Sequence, residues 1–229
     1  MDEPIPPLSA TEVRVLGSLI EKAVTTPDYY PLSLNALTNA CNQLTNREPV
    51  VAFDEGVVAR AIESLREKRL ASQYSGQESR VARYKHSLTD AILLTPAEVA
   101  LLCVLMLRGP QTVGELRTRT ERLFKFDTLP EVEETLNALA ARTPQPLATK
   151  LPRAPGTKES RFSHLLSGPA AAPTASDATS APATAAPVSS SPVPAPDARV
   201  AQLESDLAAV RRELAALQEQ FAQFRKQFE

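Results

Sequence analysis

The sequence predicts a mainly α-helical protein with small β wings: two tandem winged-helix domains, followed by a disordered linker and a C-terminal coiled-coil helix. Three observations carry this. The same pattern of helix starts is written twice in order between Leu8 and Leu166. Alanine, proline, serine and threonine take over after Gly168. From Val200 onward, apolar residues recur three and four positions apart without interruption.

The opening residues, MDEPIPP, are acidic and proline-rich. Residues 1–7 are expected to be disordered, and without an apolar stretch they do not resemble a signal peptide. Domain one is expected over residues 8–90. Ser9 and Glu12 have capping-box spacing, and Leu8 and Val13 form a hydrophobic staple around the cap. Val13, Leu16, Ile20 and Ala23 continue at helical spacing, which predicts a helix over residues 11–24. Thr25-Thr26-Pro27 stops it, residues 29–32 read as extended before and around Pro31, and Ser33 caps a second helix. Residues 42–47 are polar and turn-like, and their side chains read equally as partner contacts or as an internal network that satisfies the backbone groups of a long turn. A third helix is expected over residues 54–69, with Val58, Ile62 and Leu65 inward, and residues 70–74 and 80–86 read as a two-stranded wing. Helix, short strand, helix, turn, helix, hairpin is the winged-helix order.

Domain two is expected over residues 91–168, because four landmarks return in order. Leu8-Ser9-x-x-Glu12-Val13 recurs as Leu94-Thr95-x-x-Glu98-Val99, with Pro96 at the favoured first helical position. Pro31-x-Ser33-Leu34 recurs as Pro110-x-Thr112-Val113, where Glu115 completes another capping box. Ile62-x-x-Leu65 matches Leu136-x-x-Leu139, and Arg83-Tyr84-x-His86-x-Leu88 matches Arg161-Phe162-x-His164-x-Leu166. The stretch CNQLTNREPV, residues 41–50, has no counterpart in domain two. Any function special to domain one is therefore expected there.

The stretches EKAVTTPDYYPLSLNALTNACNQLTNREPV, ELRTRTERLFKF and LPRAPGTKESRFSHLLSG resemble the YceH family of uncharacterised bacterial proteins. The resemblance covers residues 8–168. It implies a tandem winged-helix protein with no established activity and no known catalytic residues. One position departs from the family pattern: Leu44 stands where relatives usually carry lysine.

Residues 169–198 contain only Asp177 and Asp197 as charged groups and are expected to form a linker. Extended as polyproline II, those 30 residues would reach about 90 Å at ~3.1 Å each. Beyond it, residues 199–229 read as a heptad helix. Val200, Leu203, Leu207, Val210, Leu214, Leu217, Phe221, Phe224 and Phe228 would fill the a and d positions. Such a stripe needs a partner helix, and self-association is the simplest source, so a homo-oligomer, drawn as a dimer, is expected through this helix and through the winged helices.

Charge limits the functional classes. Net charge is −2; residues 8–90 carry 10 basic and 10 acidic side chains, and residues 91–168 carry 10 and 8. Neither domain is strongly basic, which weighs against non-specific nucleic-acid affinity. The two cysteines, Cys41 and Cys103, form no C-x-x-C pattern and are expected in the core, in keeping with a cytoplasmic protein. No apolar run is long enough to span a bilayer, so no membrane partner is expected. His86 and His164 occupy matching repeat positions, which packing explains better than metal ligation. No nucleophile–base pair, metal set or phosphate-binding glycine loop is visible, so neither an enzyme nor a cofactor is expected.

The leading functional expectation is a dimeric DNA-binding protein acting as a transcriptional regulator on double-stranded DNA. Its candidate contacts are Asn42, Gln43, Asn46 and Arg47 in the turn, Arg60 on the third helix, Arg80, Arg83 and Lys85 on the first wing, and Lys150, Arg153, Lys158 and Arg161 on the second. The alternative is a non-enzymatic module that docks a protein partner, similar in arrangement to segregation and condensation protein B. Asp54, Glu55, Glu131, Glu133 and Glu134 crowd the starts of the third helices and favour this alternative. A basic run, Arg117, Arg119, Arg122 and Lys125, reads equally as a phosphate site or as a solvated face.

Overall fold

The computed structural model describes residues 4–74, 81–153 and 159–168. These residues lie in one compact unit and are mainly helical, with two small antiparallel sheets. The expected linker and coiled-coil helix, with all nine of its a and d residues, lie outside the described residues, as do Arg80 and Lys158.

The longer helices each begin at a side-chain cap. Helix α1 spans Ala10–Thr25, with Ser9 accepting from the Glu12 amide and Glu12 accepting from the Ser9 amide. A 3-10 turn, Pro27–Tyr29, follows, so the extended segment expected over residues 29–32 starts one residue later, at Tyr30, and leads into strand β1, Leu32–Ser33. Proline fits the first position of this turn because it has no amide hydrogen to satisfy. Helix α2, Leu34–Cys41, is capped by Ser33, and α3, Glu55–Glu67, by Asp54. Strands β2, Ala71–Tyr74, and β3, Arg83–His86, pair antiparallel, and β1 joins the free edge of β3, giving the order β1-β3-β2. A single turn, α4, spans Leu88–Ala91.

The second half repeats this course. Helix α5 spans Pro96–Arg108 behind a Thr95–Glu98 capping box, and α6 spans Val113–Arg119 behind the Thr112–Glu115 box. Helix α7, Leu129–Ala141, is capped by Thr128. Strands β4, Ala148–Lys150, and β5, Phe162–His164, form the second hairpin. The repeat extends to single bonds. Leu32 pairs with Tyr84 in the first half, and Gln111 bridges Phe162 in the second. Arg83 Nη1 donates to the Pro31 carbonyl at 2.9 Å, and Arg161 Nη1 to the Pro110 carbonyl at 2.8 Å.

The two halves share one hydrophobic core. Its centre is the packing of α1 on α5, the matching first helices of the two repeats. Residues 100–107 of α5 are buried all round, because α1 covers one side while α6, α7 and β5 cover others. Gly17 marks the close approach: a Cβ there would stand 3.0 Å from Leu107 Cδ2 and 3.2 Å from Met106 Cβ. The amino-terminal segment also crosses the seam. Ile5 is buried, and its backbone exchanges hydrogen bonds of 2.7 and 3.3 Å with the Gln145 side chain, while the Leu8 amide donates to the Leu166 carbonyl. Composition alone predicts disorder over residues 1–7; residues 4–7 are among the described residues, with Ile5 buried and its backbone tied to Gln145 of the second half.

Candidate functional site

The stretch singled out as unique to the first half, residues 41–50, leaves α2 and runs across the end of α5. Its most important side chain is Arg47, which is fully enclosed. The guanidinium donates to Glu21 Oε2 at 2.6 Å and to Oε1 at 3.2 Å. It also donates to the Ala40 and Asn46 carbonyls and to Gln43 Oε1. A forked, charge-assisted pair with every donor direction filled holds a turn in place. Asn42 is used similarly: its amide donates to the Phe53 carbonyl and accepts from the Phe53 amide, both at 2.8 Å. Asn46 has φ +61°, a conformation asparagine tolerates better than most residues, and its Oδ1 accepts from Arg108 on α5. The Glu48 amide completes the seam by donating to the Leu107 carbonyl at 2.8 Å.

Of the two readings of this polar row, the polar groups of Asn42 and Arg47 follow the internal network: they are turned inward. Gln43 and Asn46 are tied to the same arrangement. Sequence reasoning missed its other members, Arg14, Glu21 and Arg108. Arg14 is buried and donates to the Cys41 and Pro49 carbonyls at 3.1 and 2.5 Å, and burial together with the nearby Arg47 charge lowers its pKa. The available signal was its place between Val13 and Leu16 on an otherwise apolar stretch of α1. Leu44 is 81% exposed, which makes the position of the family lysine a surface one.

The remaining candidates divide by half. Arg60, Arg83 and Lys85 are exposed, with Arg83 and Lys85 on the same face of β3. In the second half, Arg161 is held by Glu115 at 2.9 Å, and Lys150 lies 3.6 Å from Glu133 and 5.6 Å from the centre of the Phe162 ring. Arg153 is exposed. The inward-turned Asn42 and Arg47 do not share that exposure.

His86 and His164 both have a buried Nδ1 without a hydrogen-bond partner. Burial lowers the pKa of each, to about 4 for His164; at His86, Asp90 opposes the shift and Lys85 adds to it. Both are neutral rings packed at equivalent places. Cys41 and Cys103 are buried with raised pKa values, as desolvation of a thiolate requires. Among the described residues, no group of three or more His, Cys, Asp or Glu could hold a metal ion, and no helix is long and apolar enough to cross a membrane.

A two-repeat, mainly helical body whose distinctive polar segment serves its own seam defines a class by architecture rather than by chemistry. The family model described as "Protein of unknown function, DUF480" matches residues 8–157. UPF0502 proteins are similar over most of the chain. That of Opitutus terrae is 53% identical over 210 residues, 92% of this chain and 86% of its own length. That of Geotalea daltonii is 59% identical over 161 residues, 70% and 73% of the two chains, and that of Solibacter usitatus 49% over 205 residues, 90% and 97%. The chain belongs to this family, the YceH family that its motifs resemble.

Proposed function

We propose that the chain is a non-enzymatic docking module in which two winged-helix repeats, fused through α1 and α5, present a surface to a protein partner of positive charge. The observation that carries this reading is the charge at the starts of α3 and α7. Asp54 and Glu55 begin one helix, while Glu131, Glu133 and Glu134 line the start of the other, with Glu133 and Glu134 exposed. Carboxylates there suit the helix dipole, and they repel phosphate where a recognition helix would enter a groove. The element order of both halves supports the winged-helix reading, a fold used for docking as well as for nucleic acid. The heptad of the C-terminal segment supports pairing of two chains, which would raise the effective concentration of both docking faces.

A second reading, regulation through duplex DNA, rests on the exposed Arg60, Arg83 and Lys85 of the first half. Contacts from these groups would be to phosphate and would carry little sequence information. Duplex binding by the full chain across a salt series separates the two. The docking reading expects no binding even at low salt; a steep negative slope, lost on replacing Arg60, Arg83 and Lys85 with alanine, would replace it with the DNA reading. A photo-crosslinking side chain at Glu134 should trap a heterologous protein in cells. One at Leu44, remote in role from the acidic helix, should not.

A further inference from the structure

A cleft of about 370 Å³ opens at the seam between the two halves, next to the polar stretch that closes it. Its walls come from the ends of α1 and α5 and from the segment following α6. Arg108, Arg119 and Arg122 line it, over a floor that includes Val104 and Leu107.

The charges around it do not balance locally. Glu21 reaches the cleft, but both of its oxygens are taken by Arg47. Glu115 is shared: its Oε2 accepts from Arg161 and from the Thr112 amide, each at 2.9 Å, while Arg119 makes a longer ion pair, 3.8 Å, with Oε1. Arg122 has no hydrogen-bond partner among the described residues, and Arg108 has only the neutral Asn46 side chain. Glu121, on the same segment, is the one acid in the lining outside those pairs. Three guanidinium groups, drawn from α5, α6 and the segment after it, therefore line a partly enclosed space, with only the long Arg119–Glu115 pair among them holding an acid directly. Burial and the Arg119 charge lower the pKa of Arg108, with Glu21 and Glu48 opposing the shift. An anion seated between them would relieve that repulsion, and forked guanidinium donors match the oxygens of a phosphate or carboxylate. The lining is not only polar: the half-buried Leu123 stands beside the arginines above the buried Val104 and Leu107, which suits an organic body better than a bare inorganic ion.

We propose that this cleft is a binding site for a small organic oxyanion, a phosphate or carboxylate head on an apolar body, with Arg108, Arg119 and Arg122 holding the head and Leu123 packing the body. Such a ligand would sit where both halves meet, since Glu21 and Asn46 come from the first half and the three arginines from the second. The site does not depend on which macromolecule the protein docks.

Calorimetric titration of the full-length protein tests this with phenyl phosphate, benzoate and inorganic phosphate as probes. Saturable binding of phenyl phosphate or benzoate is expected, at least tenfold tighter than inorganic phosphate. It should weaken at least tenfold in Arg119→Gln/Arg122→Gln and remain unchanged in Arg60→Gln/Lys85→Gln. A preference between the two organic probes identifies the head group. Both double variants replace groups that are exposed or loosely paired, and a thermal melt confirms that each is folded. Absence of saturable binding by either organic probe would overturn the proposal. So would equal affinity for inorganic phosphate, or unchanged affinity in Arg119→Gln/Arg122→Gln.

Discussion

Arg47 and Glu21, 26 residues apart in sequence, meet at 2.6 Å with the arginine side chain fully enclosed and the glutamate 12% exposed. Because Arg47 sits on the stretch that also bonds to α5, this one pair links the end of α1, the turn after α2 and the second half of the molecule.

Replacing Arg47 with alanine would leave the Glu21 carboxylate half-desolvated and the Ala40 carbonyl without its donors. A loss of about 3 kcal/mol is expected, the usual cost of removing one partner of a buried pair. Arg47→Lys should recover only part of it, because an ammonium cannot reach both oxygens and the carbonyl in fork geometry. At exposed Leu44, by contrast, Leu44→Lys should stay within about 0.5 kcal/mol. Urea midpoints of the three variants check the ranking, and equal midpoints for Arg47→Ala and wild type would refute the seam's contribution.

Acid should destabilise the fold in two windows. His164 titrates near its ordinary 6.5 when unfolded and at about 4 when folded, so the unfolded chain binds the proton first as pH falls. Stability is intact above pH 6.5 and declines towards pH 4, by roughly 2 to 3 kcal/mol for this residue. His86, lowered in the same direction, adds to the same decline. Glu12 acts lower. Burial alone would raise its pKa, but Lys68 at 2.5 Å and the Ser9 amide bring it down to about 2, so its contribution is lost between pH 4.5 and 2. Measured between pH 7 and 5, His164→Leu should show a shallower loss of stability than wild type; parallel curves would refute the assignment.

Gly17 sets the spacing of α1 on α5. Alanine would gain about 1 kcal/mol of helix propensity, yet it would press on Leu107 and on the near-backbone Met106 Cβ, where overpacking costs about 1 to 3 kcal/mol. Gly17→Ala should therefore lower the thermal midpoint slightly and Gly17→Val clearly. Leu107→Ala should make Gly17→Ala less harmful, and strict additivity of the two would show that they do not touch.

The matching caps should behave alike. Ser9→Ala and Thr95→Ala each remove the acceptor for the third helical amide, and each should cost about 1 kcal/mol. A large difference between them would mean that one helix start is held by other contacts.

The heptad beyond the described residues makes a separate claim. Light scattering of the full chain should give a larger oligomer than a chain ending at residue 198, and the same number of chains in both would rule out the coiled coil as the assembling element.

By itself the sequence determined what local chemistry controls. Ser9, Ser33, Asp54, Thr95, Thr112 and Thr128 begin helices because their side-chain oxygens satisfy amides only two or three residues away. The paired landmarks Pro31/Pro110 and Arg83/Arg161 were legible for the same reason, each repeat carrying its own instructions. Residues 42–47 left two readings open, partner contacts or an internal network. Whether Arg47 faced a partner or an acid of its own chain depended on Glu21, Ala40 and Arg108, which are brought beside it by the packing of α1 on α5. Ile5 and the arginine-lined cleft follow the same rule. Burial and charge pairing between distant residues exist only once the two halves share a core, and the tertiary structure alone decided them.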